Sequence, residues 1–138
     1  MPNLLEVLEA LGNFKIFLKA CEEGGLKAML GYEGDFTIFT PNDEAFGNMH
    51  SAVKDNIFKE PHLMMDLILH HCVEWGLTTR ELVQATRLRT LAEDEINLKT
   101  KKKKVIYIEG SKILQADIQA DNGIIHLIDK VLIPPDLV

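Results

Sequence analysis

The dominant hydrophobic period of this chain changes near residue 88, and that change limits the folds open to it. Before residue 88 the apolar side chains recur mostly at helical spacing; from residue 88 they alternate as strands do. Helices first and strands later, rather than the two in strict alternation, predict an α+β domain with a largely antiparallel sheet. At 138 residues the chain reads as a single domain, 1–138, long enough for a real core.

Asn3 with Glu6 three positions on has the form of a capping box, and Leu4, Leu8 and Leu11 follow on one helical face. Gly12 stops that helix and Asn13 is a natural cap for the next, whose stripe is Phe14, Phe17, Leu18 and Cys21. Leu26, Met29 and Leu30 predict a further short turn of helix. Phe36-Thr37-Ile38-Phe39-Thr40 is the first strand, and it runs directly into Pro41-Asn42-Asp43-Glu44-Ala45-Phe46. Proline ends the ladder, Asn42 caps, and Asp43 and Glu44 suit the positive end of a short helix. A second helical block starts at Pro61, with Met64, Leu67, Ile68 and His71 on its buried face and His70 on the exposed side. Thr78 and Glu81 form another capping box before Leu82-Val83.

Beyond residue 88, Ile96, Leu98 and Thr100 alternate and Val105–Glu109 is a strand run. Leu114, Ala116, Ile118 and Ala120 share one face of the next strand. Asn122-Gly123 then predicts a tight hairpin turn in which both residues take positive φ, with Ile124–Ile133 as the partner strand.

Acidic residues outnumber basic ones 21 to 15, a net charge of −6 that excludes a general nucleic-acid binder. No apolar run approaches the ~20 residues of a membrane span. Cys21 and Cys72 are too few for a disulfide scaffold or a zinc site and are expected to be free thiols. The start of the chain lacks the basic-then-apolar pattern of an export signal, so a protein beginning natively at Met1 is expected in the cytoplasm. Charge is also uneven. Residues 1–98 carry 16 acidic and 8 basic side chains, whereas residues 99–112 carry six lysines against Glu109 alone. Lys101, Lys102, Lys103 and Lys104 form a solvated turn between two strands. It either protects strand edges from aggregation or takes polyanions such as acidic glycans or lipid headgroups.

Three stretches together resemble the fasciclin domain family. Residues Phe36 to Phe46 are similar to its first signature segment and Asn122 to Pro135 to its second, while Leu69-His70-His71 lies where the family carries a Tyr-His pair. The resemblance runs from Leu4 to Pro135. It implies a β-wedge of two largely antiparallel sheets with an N-terminal helical block packed around it. It also implies a non-enzymatic adhesion module, extracellular or surface-attached, that contacts proteins or glycans and needs no cofactor. By the same resemblance Asp117, Ile118, His70 and His71 are partner-binding positions, with His70 departing from the family's tyrosine. The chain is expected to be a monomer.

The residues themselves read more plainly. In a strand Asp117 and Ile118 point to opposite faces, so only a bulge or an edge exposes both; Ile118 is expected in the core and Asp117 as a hydrogen-bond acceptor. His126 shares a face with Ile124 and Ile128, as a hydrogen-bonded core histidine would. A hydrolase or metalloenzyme would have to draw on His70, His71 and His126, yet neighbouring histidines do not share a helix face, and no nucleophile or metal motif is present. Met64, Met65 and the aromatics leave a third class, a small apolar-ligand or lipid carrier.

Overall fold

A computed structural model describes residues 1–32 and 34–137. Helices α1 (Leu4–Leu11), α2 (Lys15–Glu23) and α3 (Lys27–Gly31) lead into strand β1 (Phe36–Pro41), then α4 (Asp43–Gly47), α5 (Ser51–Phe58) and α6 (Pro61–Leu69). After these come β2 (Cys72–Glu74), α7 (Thr79–Leu82), β3 (Arg87–Arg89), β4 (Glu95–Lys101), β5 (Val105–Ile108), β6 (Ser111–Ala120) and β7 (Gly123–Ile128).

The strands join in the order β2-β1-β7-β6-β5-β4-β3. Every pair is antiparallel except β1 with β7. Strand β6 belongs to both halves: Ser111 and Lys112 pair with β5, and Ile113 onward pairs with β7 through two register shifts. Bulges of this kind bend and twist a strand. The bend brings Phe39 of β1, Val73 of β2 and Ile128 of β7 into one buried cluster with Ile96, Leu98, Ile106 and Ile108 of β4 and β5. Strands far apart in the ladder therefore face each other, which is the wedge. On the other side of β1 and β7, Ile38 and Ile125 pack with Leu4, Leu8, Phe17, Phe46 and Leu67 of the helices.

Local chemistry explains most boundaries. Asn3 and Glu6 close the capping box, and Gly12 ends α1 in the left-handed conformation. Asn42 accepts the Ala45 N–H at 2.8 Å and caps α4. Pro61 is the first residue of α6.

Several expectations are corrected. Asn13 does not cap α2; the Asp43 carboxylate does, accepting the Ile16 N–H at 2.9 Å and the Lys15 N–H at 3.3 Å. Thr78 makes no backbone cap for α7, its hydroxyl being donated to Glu81. The β6–β7 turn is centred on Asp121-Asn122, neither of which has positive φ, and Gly123 opens β7 instead. Buried Asn122 acts as a clasp: its side chain accepts the Leu4 N–H at 2.9 Å and donates to the Leu30 carbonyl at 2.8 Å. Strand β7 ends at Ile128, not Ile133. Leu114 is 53% exposed, because the register shifts in β6 break its alternation.

Candidate functional site

Of the five histidines, His70, His71 and His126 are buried, and each is engaged within the fold. His71 sits just past α6, wholly buried, with its Nδ1–H donating to the Leu67 carbonyl at 2.7 Å and its Nε2 accepting the Leu132 N–H at 2.9 Å. That pattern fixes a neutral tautomer, and burial pushes its pKa down to about 3. The ring thus fastens α6 to the segment following β7. His126 donates from Nε2 to the Leu77 carbonyl at 2.7 Å and accepts the Asp117 N–H on Nδ1 at 3.2 Å. Burial lowers its pKa as well. It stacks on Phe39, ring centroids 5.6 Å apart, as a core residue.

His70 is not on an exposed side. It is buried, with Nδ1 2.7 Å from the Asp94 carboxylate, which also accepts the Thr90 hydroxyl at 2.5 Å. The helix ends at Leu69, so positions 70 and 71 leave helical spacing and both rings turn inward. Neither ring presents a surface to a partner. Asp94 escapes a reading of the sequence because nothing in its local pattern pairs it with a histidine twenty-four residues away.

The thiols do not supply a nucleophile. Cys72 donates to the Ile68 carbonyl at 3.2 Å and burial pushes its pKa up to about 12; Cys21, also free and buried, is raised by burial too. A thiol so desolvated stays protonated at neutral pH. Met64 is buried in the helical core, and Met65 is partly buried against it. Among the described residues, no three His, Cys, Asp or Glu side chains converge on a point that would hold a metal ion.

Asp117 and Ile118 sit where β6 shifts register against β7, and Asp117 takes φ +59. The bulge turns Asp117 outward, where its carboxylate accepts the Thr79 N–H at 2.8 Å and the Thr79 hydroxyl at 2.7 Å. It caps α7 from a distant strand, the role the Thr78 box does not fill. Ile118 is half-buried against the main core.

The lysine run forms the tip of the β4–β5 hairpin. Lys101 pairs with Val105 across a three-residue loop in which Lys103 and Lys104 have φ +62 and +59. All four side chains are exposed, and the Lys101 Nζ lies 4.4 Å from the centre of the Tyr107 ring. A separate groove of about 590 Å³ opens between α4–α5 and the segment after β7, with Met49, Val53, Val131 and Ile133 in its wall and Leu114 at its lip.

A family model described as "Fasciclin domain" matches residues 12–134. The chain belongs to the fasciclin domain family. Relatives of this fasciclin domain include Protein sll1483 of Synechocystis, 28% identical over 96% of this chain and 74% of that protein. Human periostin is 29% identical over 97% of this chain, and the transforming growth factor-beta-induced protein ig-h3 of Sus scrofa is 26% identical over 98%. The chain spans only 16% and 20% of those two proteins. A solved domain pair from the insect cell adhesion molecule Fasciclin I has the same fold, with a TM-score of 0.72 at 22% identity over 89% of this chain and 46% of that one.

Proposed function

We propose that this fasciclin domain is a non-enzymatic adhesion module that holds a polyanionic partner, such as a sulfated glycan, at the lysine tip of the β4–β5 hairpin. The observation that carries this reading is the tip itself: Lys101, Lys102, Lys103 and Lys104 are exposed side by side on a protein of net charge −6. Lys103 and Lys104 hold left-handed backbone that Asn or Gly would adopt at lower cost, so a turn serving only to reverse the chain favours other residues. The likeness in fold to an insect adhesion molecule supports the adhesion class. His70, His71 and His126 support it too, since each is committed to holding elements together. Of the partner positions implied by the family, Asp117 is exposed and Ile118 half-buried, so contacts there would run through the α7 cap.

Retention on immobilised heparin, measured against salt, tests the reading. Wild-type protein should be retained at low salt and released steeply as screening shortens to ~8 Å near physiological strength. Replacing all four lysines by Ser should abolish retention with little change in the unfolding midpoint, because exposed charges contribute little to stability. Wild-type protein that passes through at low salt refutes it.

The groove of about 590 Å³ favours a second reading, a carrier of a small apolar ligand. Saturable uptake of a fluorescent fatty acid, lost on Val53→Glu, would support that reading over adhesion.

A further inference from the structure

Two strained residues line one groove beside the edge strands β2 and β3, apart from the lysine tip. Trp75, just past β2, holds φ +76, and Glu93, in the turn between β3 and β4, holds φ +69. Bulky L-residues rarely accept such backbone, and it persists only where surrounding bonds impose it. Those bonds are present. The Trp75 N–H donates to the Asp35 carbonyl at 2.6 Å, and the buried Thr37 hydroxyl donates to the Trp75 carbonyl at 2.6 Å while accepting the Leu77 N–H at 2.7 Å.

The opposite wall is tied just as closely. Within the turn, the Thr90 N–H donates to the Asp94 carbonyl at 2.8 Å and the Glu93 N–H to the Thr90 carbonyl at 3.0 Å. His70 holds the Asp94 side chain from inside at 2.7 Å. The Leu91 N–H then donates to the Cys72 carbonyl at 2.8 Å, joining this turn to the edge of β2. Both walls are therefore fixed relative to each other, and His70 is a positioning residue for the groove.

The groove encloses about 550 Å³, within the ~300–1,000 Å³ of small-ligand clefts. Val73, Leu77 and Leu88 give it an apolar lining, and Trp75 leaves 63% of its surface open. Glu74, Arg89 and Glu93, all exposed, stand around it. Among the described residues no carboxylate lies within ion-pair distance of Arg89.

We infer that this groove binds a neutral saccharide, with Trp75 as the stacking platform and Glu74, Arg89 and Glu93 as partners for hydroxyl groups. A pyranose has an apolar C–H face and a rim of hydroxyls, which matches an open indole beside charged hydrogen-bonding side chains. An apolar peptide would desolvate those three charges and offer them nothing in return. A sulfated chain would meet two carboxylates and one guanidinium, so the same polyanion that suits the lysine tip is repelled here. Because the walls are fixed before the ligand arrives, little ordering is left to oppose binding.

Trp75 is the single tryptophan of the chain, so its emission reports on this groove alone. Titration with cellotetraose, mannotetraose and chitotriose should give a saturable emission change with at least one of them. Calorimetry with that sugar should show Trp75→Gly weakening binding by about tenfold or more. Its unfolding midpoint should hold, because glycine accepts φ +76 freely. Glu93→Gln should weaken binding by about fivefold without loss of fold. The variant with Ser at all four tip lysines should bind the sugar as wild type does. No emission change with any of the three sugars up to roughly 10 mM overturns the inference, as does a Trp75→Gly protein that binds undiminished. Heparin retention in the first of those cases would leave the lysine-tip reading standing.

Discussion

His71 offers the sharpest test of how this domain is held together, because one ring satisfies two buried backbone groups. Replacing it with Ala leaves the Leu67 carbonyl and the Leu132 N–H without the partners they have at 2.7 and 2.9 Å. Each orphaned group costs about 1–3 kcal/mol, so His71→Ala should lose roughly 2–6 kcal/mol, a large part of the ~5–15 kcal/mol of a typical domain. The pH dependence isolates the ring itself. Folded His71 takes up a proton only near pH 3, whereas in the unfolded chain it does so near its ordinary 6.5. Between those values the unfolded state binds the extra proton, so the contribution is complete above about 6.5 and is lost as pH falls toward 3. At ~1.4 kcal/mol for each pKa unit, the loss across the window is roughly 4–5 kcal/mol. His71→Gln does not titrate and can still donate and accept, so it serves as the reference. Urea unfolding of both proteins from pH 7.5 to 3 should show wild type losing ground to His71→Gln between about 6.5 and 3, with His126 and the carboxylates cancelling in the difference. Parallel curves across that window would refute the neutral, doubly bonded ring.

Asp43→Ala should lower stability by about 1 kcal/mol, the usual value of a helix cap, because the Lys15 and Ile16 N–H groups lose their acceptor. An unchanged unfolding midpoint would show that the cap contributes nothing. Gly123→Ala should be far worse, since a Cβ there would lie 2.1 Å from the Phe36 carbonyl oxygen and force β7 away from β1. Thermal unfolding should record a loss of more than about 2 kcal/mol; wild-type stability would mean that β1 and β7 are not in this parallel register.

Helices α1 and α6 were legible because they are amphipathic over eight or nine residues and carry their own boundary signals: Asn3 with Glu6, Gly12, Pro61. Helix α5, with no side-chain cap at its start, escaped. Strand β1 was legible from five strand formers ending at a proline. What escaped was either too short or too remote for a local pattern. Strands β2 and β3 have three residues each, less than one useful period. The alternation through β6 misplaced Leu114, because a register shift moves every later side chain by one. The cap of α2 came from Asp43, twenty-seven or more positions away, and the cap of α7 from Asp117, thirty-eight positions away. The Trp75 conformation escaped too, because it depends on Asp35 and Thr37 across the sheet.

These clasps also explain why so much of the family signature is silent about the ligand. Asn42 and Asp43 cap two helices, Asn122 joins α1 to α3, and His71 binds α6 to the end of the chain. Each is a polar residue whose bonding capacity is spent inside the fold, so each encodes the wedge and leaves nothing to offer a partner. Even at the Asp117 position the carboxylate is engaged with Thr79. The two proposed sites draw instead on side chains the frame does not consume: the lysines at the hairpin tip and the indole, carboxylates and guanidinium of the groove beside β2 and β3. Substitutions at the clasps should therefore move the unfolding midpoint first, and binding only through it. Substitutions at the tip or the groove should move binding alone.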